Sequence, residues 1–195
     1  MRVREPTALE RFLAALTAEL GRVGLPFMLI GGQAVLVHGA IRVTEDIDAT
    51  LAADPGRLAT VLEACAALGL VPTPTDVQAF VAETFVLPAR DAATGVRVDF
   101  IFSSTAYERQ AIARAGTIDL AGAAVPFATA EDLIIHKLFA ARPRDLEDVR
   151  GVIVRKGAQL DWAYMEKWAL DFVTVPGRER MPEMLAEFRR SLPLR

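Results

Sequence analysis

The stretch Asp46-Ile47-Asp48-Ala49-Thr50-Leu51 constrains this chain more than any other, because apolar and polar side chains alternate along it. A period of two marks a β-strand with one buried face. On such a strand Ile47 points into a core. Asp46 and Asp48 then point together to the other face, roughly 6.5–7 Å apart at Cα. Two carboxylates on one face repel each other, and this costs stability unless a cation sits between them. Magnesium takes oxygen ligands and is held by one or two carboxylates together with substrate phosphates. Taken alone, the pair also reads as a strand end carrying two solvated acids.

The neighbouring pattern predicts a mixed sheet with helices around it. Residues 7–22 have helical spacing, with Thr7 as cap and Glu10 three residues on. Residues 26–30 form a short apolar run that ends at Gly31-Gly32 and reads as a buried strand leading into a short helix over 33–38. A helix follows Asp54-Pro55-Gly56 and stops at Gly69. Strands are expected over 83–90 and 96–102, joined as a hairpin through 91–95, and over 117–120 and 124–127, joined through Ala121-Gly122. A helix is expected over 107–115. From residue 129 onward the periodicity is helical: 130–141, 144–155, 161–172 and 181–192. The fold class is therefore α+β, with a core over residues 1–128 and a C-terminal helical lobe over 129–195 packed on it.

Two further features bear on the acid pair. Glycines at a strand–helix junction let the backbone approach a phosphate closely, and a helix start offers free N–H groups to it; a plain tight turn is the simpler reading of Gly31-Gly32. In Val96-Arg97-Val98-Asp99-Phe100-Ile101-Phe102, Asp99 shares one face with Arg97 and Ile101. It reads either as an exposed acid or as a third carboxylate completing a two-metal phosphoryl-transfer site.

Composition sets the outer limits. Of 195 residues, 52% are hydrophobic and 24% charged, enough apolar material for a sizeable core. Residues 1–141 carry 11 basic and 16 acidic side chains and residues 142–195 carry 11 and 9, too small a contrast to indicate a surface that coats nucleic acid. One cysteine, Cys65, and two histidines exclude an intrachain disulfide and a thiolate zinc cluster. No apolar run reaches membrane-spanning length, and residues 12–20 lack the flanks of a signal peptide, so a cytoplasmic protein is expected.

The segment from Leu29-Ile30-Gly31-Gly32-Gln33-Ala34 to Arg42-Val43-Thr44-Glu45-Asp46-Ile47-Asp48 resembles the polymerase-β-like nucleotidyltransferase superfamily. That superfamily carries a hydrophobic strand, a glycine pair, an Asp-x-Asp strand and a third Asp on a later strand. The arrangement of His38-Gly39, Arg42 and Thr44 is most similar to AbiEii-type and related toxin–antitoxin nucleotidyltransferases, as is Lys137 followed by Arg142, Arg144, Asp145 and Asp148. The resemblance covers about residues 25–150 and implies a nucleotidyltransferase core using Mg²⁺, in a two-metal site, and an NTP such as ATP as substrate. Asp46 and Asp48 would ligate Mg²⁺. Asp99 would help bind the second metal and take the proton of the acceptor hydroxyl. Gly31 and Gly32 would hold phosphate oxygens, and Arg42, Thr44 and Lys137 would reach the triphosphate.

Plainer readings stand beside these roles: Arg42 paired with Glu45, Thr44 stabilising its turn, and Lys137 as a solvated helix lysine. His38 reads as a packing or capping residue, Asp145 as a helix cap, Asp148 as the partner of a nearby arginine, and Trp162, Tyr164 and Trp168 as lobe interior. The acceptor is left open by all of them. The resemblance implies an RNA or tRNA 3′ end or a protein hydroxyl, with the chain as the toxin of a toxin–antitoxin system and a cognate antitoxin protein as partner. An antibiotic-modifying nucleotidyltransferase would share the same core, and a non-catalytic antitoxin or protein-binding member is the alternative of a different class.

Overall fold

The computed structural model describes residues 4–39, 44 and 46–191. Two compact units divide the chain: Met1–Gln33 with Thr44–Phe127, and Ala34–Val43 with Ala128–Arg195.

In the first unit, α1 (Ala8–Arg22) begins where Thr7 accepts a hydrogen bond from the Glu10 backbone N–H at 3.1 Å and the Glu10 carboxylate accepts from the Thr7 N–H at 2.6 Å. This reciprocal box stabilises the helix start by about 1 kcal/mol. Leu13, Leu16 and Leu20 form its buried stripe. There follow β1 (Phe27–Ile30), α2 (Gly31–Val37), which crosses into the second unit, β2 (Asp46–Ala52), a 3-10 turn, α3 (Leu58–Ala67), β3 (Leu70–Pro72), α4 (Val77–Thr84), β4 (Val86–Asp91), β5 (Arg97–Ser103), α5 (Ala106–Arg114), β6 (Gly116–Leu120) and β7 (Ala123–Phe127). Among the described residues the strands form one seven-stranded sheet in the order β3-β4-β5-β2-β1-β7-β6. Its β1–β7 and β2–β5 pairs are parallel and the others antiparallel, so the sheet is mixed and the fold α+β, as the pattern predicts. β1 lies between β2 and β7, and its Phe27, Met28 and Leu29 are buried, which accounts for an apolar run without alternation.

One expected strand is corrected. Residues 83 and 84 end a helix, α4, instead of opening β4. Asp76 caps α4 by accepting from the Ala79 N–H at 2.9 Å, the Thr84 hydroxyl donates back to the Phe80 carbonyl at 2.8 Å, and Phe85 leaves the helix in left-handed conformation at φ 58°. Only Val81 of α4 is buried, so the helix has no apolar stripe to announce it. The short edge strand β3 was likewise not expected.

The second unit contains α6 (Ala130–Ala140), α7 (Pro143–Lys156), α8 (Trp162–Asp171) and α9 (Met181–Arg190). Thr129 caps α6, and its hydroxyl donates to the fully buried Asp132 at 2.7 Å. The Tyr164 hydroxyl reaches the other Asp132 oxygen at 2.6 Å and so ties α8 to α6. Phe139 meets Phe172 edge to face at 5.1 Å, and the Arg178 guanidinium lies 4.5 Å from the Phe139 ring centre. Among the described residues no helix is long and apolar enough to cross a membrane.

The β6–β7 hairpin turns through Ala121 (φ 53°) and Gly122 (φ 81°), with Leu120 and Ala123 as the closing pair. Positive φ at both central positions is the primed turn that matches strand twist, and alanine is strained there. Ala121→Asn is expected to raise stability by about 0.5–1 kcal/mol in chemical denaturation. An unchanged or lower midpoint would contradict this account of the turn.

Candidate active site

Sheet register assembles the acids. Parallel pairing of β2 with β5 sets Asp46 against Arg97 and Asp48 against Asp99. The antiparallel neighbours add Ile30 beside Asp48, Pro88 beside Asp99 and Arg90 beside Arg97. One sheet face therefore carries two rows, Arg90·Arg97·Asp46 and Pro88·Asp99·Asp48·Ile30. Paired strands lie about 4.8 Å apart, which makes Asp48 and Asp99 immediate neighbours. The alternate residues Ile47, Ala49, Leu51, Val98 and Phe100 are completely buried on the other face. The predicted division of Ile47 from the two acids is thus present, and the third carboxylate stands beside the pair.

Arg97 was not singled out as a site residue by the sequence pattern. Its Nε donates to Asp99 Oδ1 at 2.9 Å and its Nη2 to Oδ2 at 2.8 Å, so one guanidinium takes both carboxylate oxygens. This bond, first, and then the charges of Asp99, Asp46 and Asp48 hold the arginine more firmly protonated than usual. The signal was present in Arg97-Val98-Asp99, where opposite charges two apart share a strand face. Among the described residues no three Asp, Glu, His or Cys side chains are gathered in metal-holding geometry. The donor chemistry nevertheless suits magnesium, since Asp46, Asp48 and Asp99 offer hard oxygens from adjacent positions.

The glycine pair lies against the same strand. Gly31 is left-handed at φ 64°, and a Cβ placed on it would stand 1.8 Å from Asp48 Oδ2. A Cβ on Gly32 would stand 2.4 Å from Thr44 Oγ1. A side chain at either position would collide with these atoms, so the glycines let Asp48 and Thr44 pack directly against the backbone at the start of α2. The Thr44 hydroxyl also lies 3.4 Å from the Asp46 carbonyl. Arg42 lies outside the described residues.

The remaining candidates belong to the second unit. Lys137 is buried; its Nζ donates to Asp145 at 2.8 Å and pairs with Asp148 at 2.8 Å. Asp145 also caps α7 by accepting from the Arg142 backbone and side chain. Burial pushes the Asp145 carboxyl up, but the hydrogen bonds from Arg142 and Lys137 outweigh it and leave the group below its ordinary value. His38 Nε2 lies 2.8 Å from the Ala128 carbonyl, and Arg155 Nε donates to the Gly39 carbonyl at 3.1 Å. Burial, above all, lowers the His38 pKa. These contacts give His38-Gly39 a packing role within its unit. Trp168 is buried, and Lys167 lies over its ring at 3.9 Å.

Residues 7–190 match a protein family described as "Nucleotidyltransferase of unknown function (DUF6036)". No curated protein matches the sequence. The antibiotic-resistance factor ANT(2″)-Ia has a similar fold in solution, with a TM-score of 0.58 and 18% identity over 90% of this chain and 99% of that one. Its crystal structure in complex with adenylyl-2″-tobramycin gives 0.56 and 19% over 94% and 98%. The lincomycin-bound lincosamide adenylyltransferase LnuA gives 0.50 and 12% over 76% and 98%. At these identities the likeness is one of fold, and it agrees with the polymerase-β-like resemblance of the glycine and acid motifs.

Two outcomes follow from the geometry. Gly31→Ala is expected to lower the melting temperature more than Gly69→Ala, since both are left-handed but only Gly31 has Asp48 in the way. Equal losses would remove the steric argument. Lys137→Met removes the buried cation that pairs with both Asp145 and Asp148, and is expected to destabilise the protein by about 3–5 kcal/mol in urea denaturation. A loss below about 1 kcal/mol would show that the triad does not hold the lobe together.

Proposed function

We infer that this chain, which belongs to that family of nucleotidyltransferases, transfers a nucleoside monophosphate from a magnesium-bound nucleoside triphosphate to an acceptor hydroxyl, releasing pyrophosphate. The observation that carries this reading is the register placing Asp99 beside Asp48, one pleat from Asp46. Three carboxylates on one face carry more negative charge than Arg97 alone neutralises, an excess with little use in a binding module and an evident one around divalent cations. Asp46, Asp48 and Asp99 would hold the metal, which neutralises the triphosphate and favours in-line attack at the α-phosphorus. Gly31 and Gly32 would admit phosphate oxygens close to the backbone, and the Thr44 hydroxyl would bond one of them. Asp99 would also accept the proton of the attacking hydroxyl. Lys137 is assigned to the lobe interior, where Asp145 and Asp148 neutralise it. Most of the rate would come from positioning and charge neutralisation.

For the acceptor, the arginines of the first row support an anionic molecule. Arg97 bonds Asp99, where the attacking hydroxyl would sit, and Arg90 stands beyond Arg97 on the next strand; an RNA 3′ end would meet this flank favourably while a polyamine sugar would not. A toxin acting on tRNA fits this flank. The second reading, an antibiotic hydroxyl, is favoured by the fold shared with ANT(2″)-Ia and LnuA.

The test is incubation of the protein with each radiolabelled NTP, Mg²⁺ and either total RNA, cell protein or a panel of aminoglycosides and lincosamides. Label on RNA is the expected result. Asp46→Ala and Asp48→Ala are expected to abolish labelling while the protein still folds, as judged by a cooperative melting curve. A fully active variant would overturn the metal-site assignment. A non-catalytic module would show neither labelling nor Mg²⁺-dependent thermal stabilisation by NTPs.

A further inference from the structure

The carboxylate face contains its own cation. Both Asp99 oxygens are taken by Arg97, at 2.9 and 2.8 Å. The pair sits at the rim of the site, with the arginine side chain 45% exposed and the Asp99 side chain 16%, so water reaches the guanidinium and the bond can exchange. A displaced Arg97 side chain stays within reach of the site, because it is two residues from Asp99 on the same strand and directly opposite Asp46. Arg90, directly opposite on the other side, is held by the Gly95 carbonyl at 2.7 Å. Like charges facing each other across a strand pair repel, which biases Arg97 toward the acids.

Resting on the reading of Asp46, Asp48 and Asp99 as metal ligands, we propose that Arg97 is a resident counter-ion that a divalent cation has to displace from Asp99, and that the phosphate oxygens of the incoming nucleotide receive the displaced guanidinium. Arg97 is in this sense a positioning residue. Without nucleotide it satisfies Asp99 and keeps the metal position at that carboxylate weak. With nucleotide it exchanges one pair of anionic oxygens for another, a swap a planar two-pronged guanidinium makes without loss of geometry. Metal and nucleotide then load together, and the metal-dependent site is not left charged with cation in the absence of substrate.

The test titrates Mn²⁺, followed by the electron paramagnetic resonance of the free ion, into the wild type, Arg97→Gln, Arg97→Lys and Asp48→Asn, with and without a non-hydrolysable α,β-methylene NTP analogue. Arg97→Gln is expected to bind Mn²⁺ about tenfold more tightly than the wild type without nucleotide, and to lose most of the gain that the analogue gives the wild type. Arg97→Lys, which keeps the charge but not the two-pronged bond, is expected to fall between them. Arg97→Gln binding no tighter than the wild type would overturn the proposal. If that variant does not fold, as judged by its melting curve, Arg97→Lys binding no tighter than the wild type overturns it equally. Failure of the underlying reading looks different: Asp48→Asn would then bind Mn²⁺ as the wild type does, and the role of Arg97 would fall with it.

Discussion

The parallel pairing of β2 with β5 is the constraint on which the site depends. It sets Asp48 and Asp99 in one row and Asp46 in the next. A slip of one residue would move every side chain of β2 to the opposite face. It would drive two carboxylates into the core and Ile47 out of it. The register is therefore enforced by the buried face. Two carboxylates at this spacing repel by roughly 1–4 kcal/mol, depending on how much water reaches them. Each large side chain buried opposite them contributes about 1.5–3 kcal/mol, and Ile47, Leu51, Val98 and Phe100 are all completely buried. The apolar face outweighs the charge repulsion several times over. The sheet can accordingly hold a destabilising arrangement of acids in place.

Much of this was legible in the chain. Alternation over 46–51 and 96–102 assigned Ile47 and Phe100 to one face and the acids to the other, since a period of two leaves no other choice. The hairpins through 91–95 and Ala121-Gly122 followed from turn chemistry. What escaped was what lacks a periodic signal. α4 buries only Val81 and is held by the Asp76 cap, while β3 is a three-residue edge. That β2 pairs with β5 in parallel, with Asp48 level with Asp99, is a matter of long-range register and could not be read from either segment alone. The Arg97–Asp99 bond was within reach, because both residues were assigned to one face. A paired strand arginine looks like an exposed one until its neighbours are known.

The lysine motif teaches the complementary lesson. Lys137 is one of three lysines on a chain with 19 arginines, and the resemblance implies that it reaches the triphosphate. The structure gives it two buried carboxylates. A lysine followed eight and eleven residues later by acids spans two helices joined at Ala141-Arg142-Pro143. Left-handed Ala141 and Pro143 at the start of α7 turn the chain back so that Asp145 and Asp148 face α6. The spacing thus encodes a helix–helix clasp within the second unit.

Set side by side, the two charge clusters differ in one physical respect. Lys137, Asp145 and Asp148 have side chains 8%, 3% and 9% exposed; Arg97 and Asp99 stand at 45% and 16%. Breaking a buried pair leaves an uncompensated charge in low dielectric, at several kcal/mol, so such a cluster works as a fixed joint. Breaking a rim pair costs less, about 1–2 kcal/mol, because water replaces part of what is lost. Only the second kind can exchange partners on the timescale of substrate binding. The same residue types that lock the helical unit therefore leave the carboxylate face free to change its counter-ion, and this separates charges that hold the fold from charges available to a metal and a phosphate.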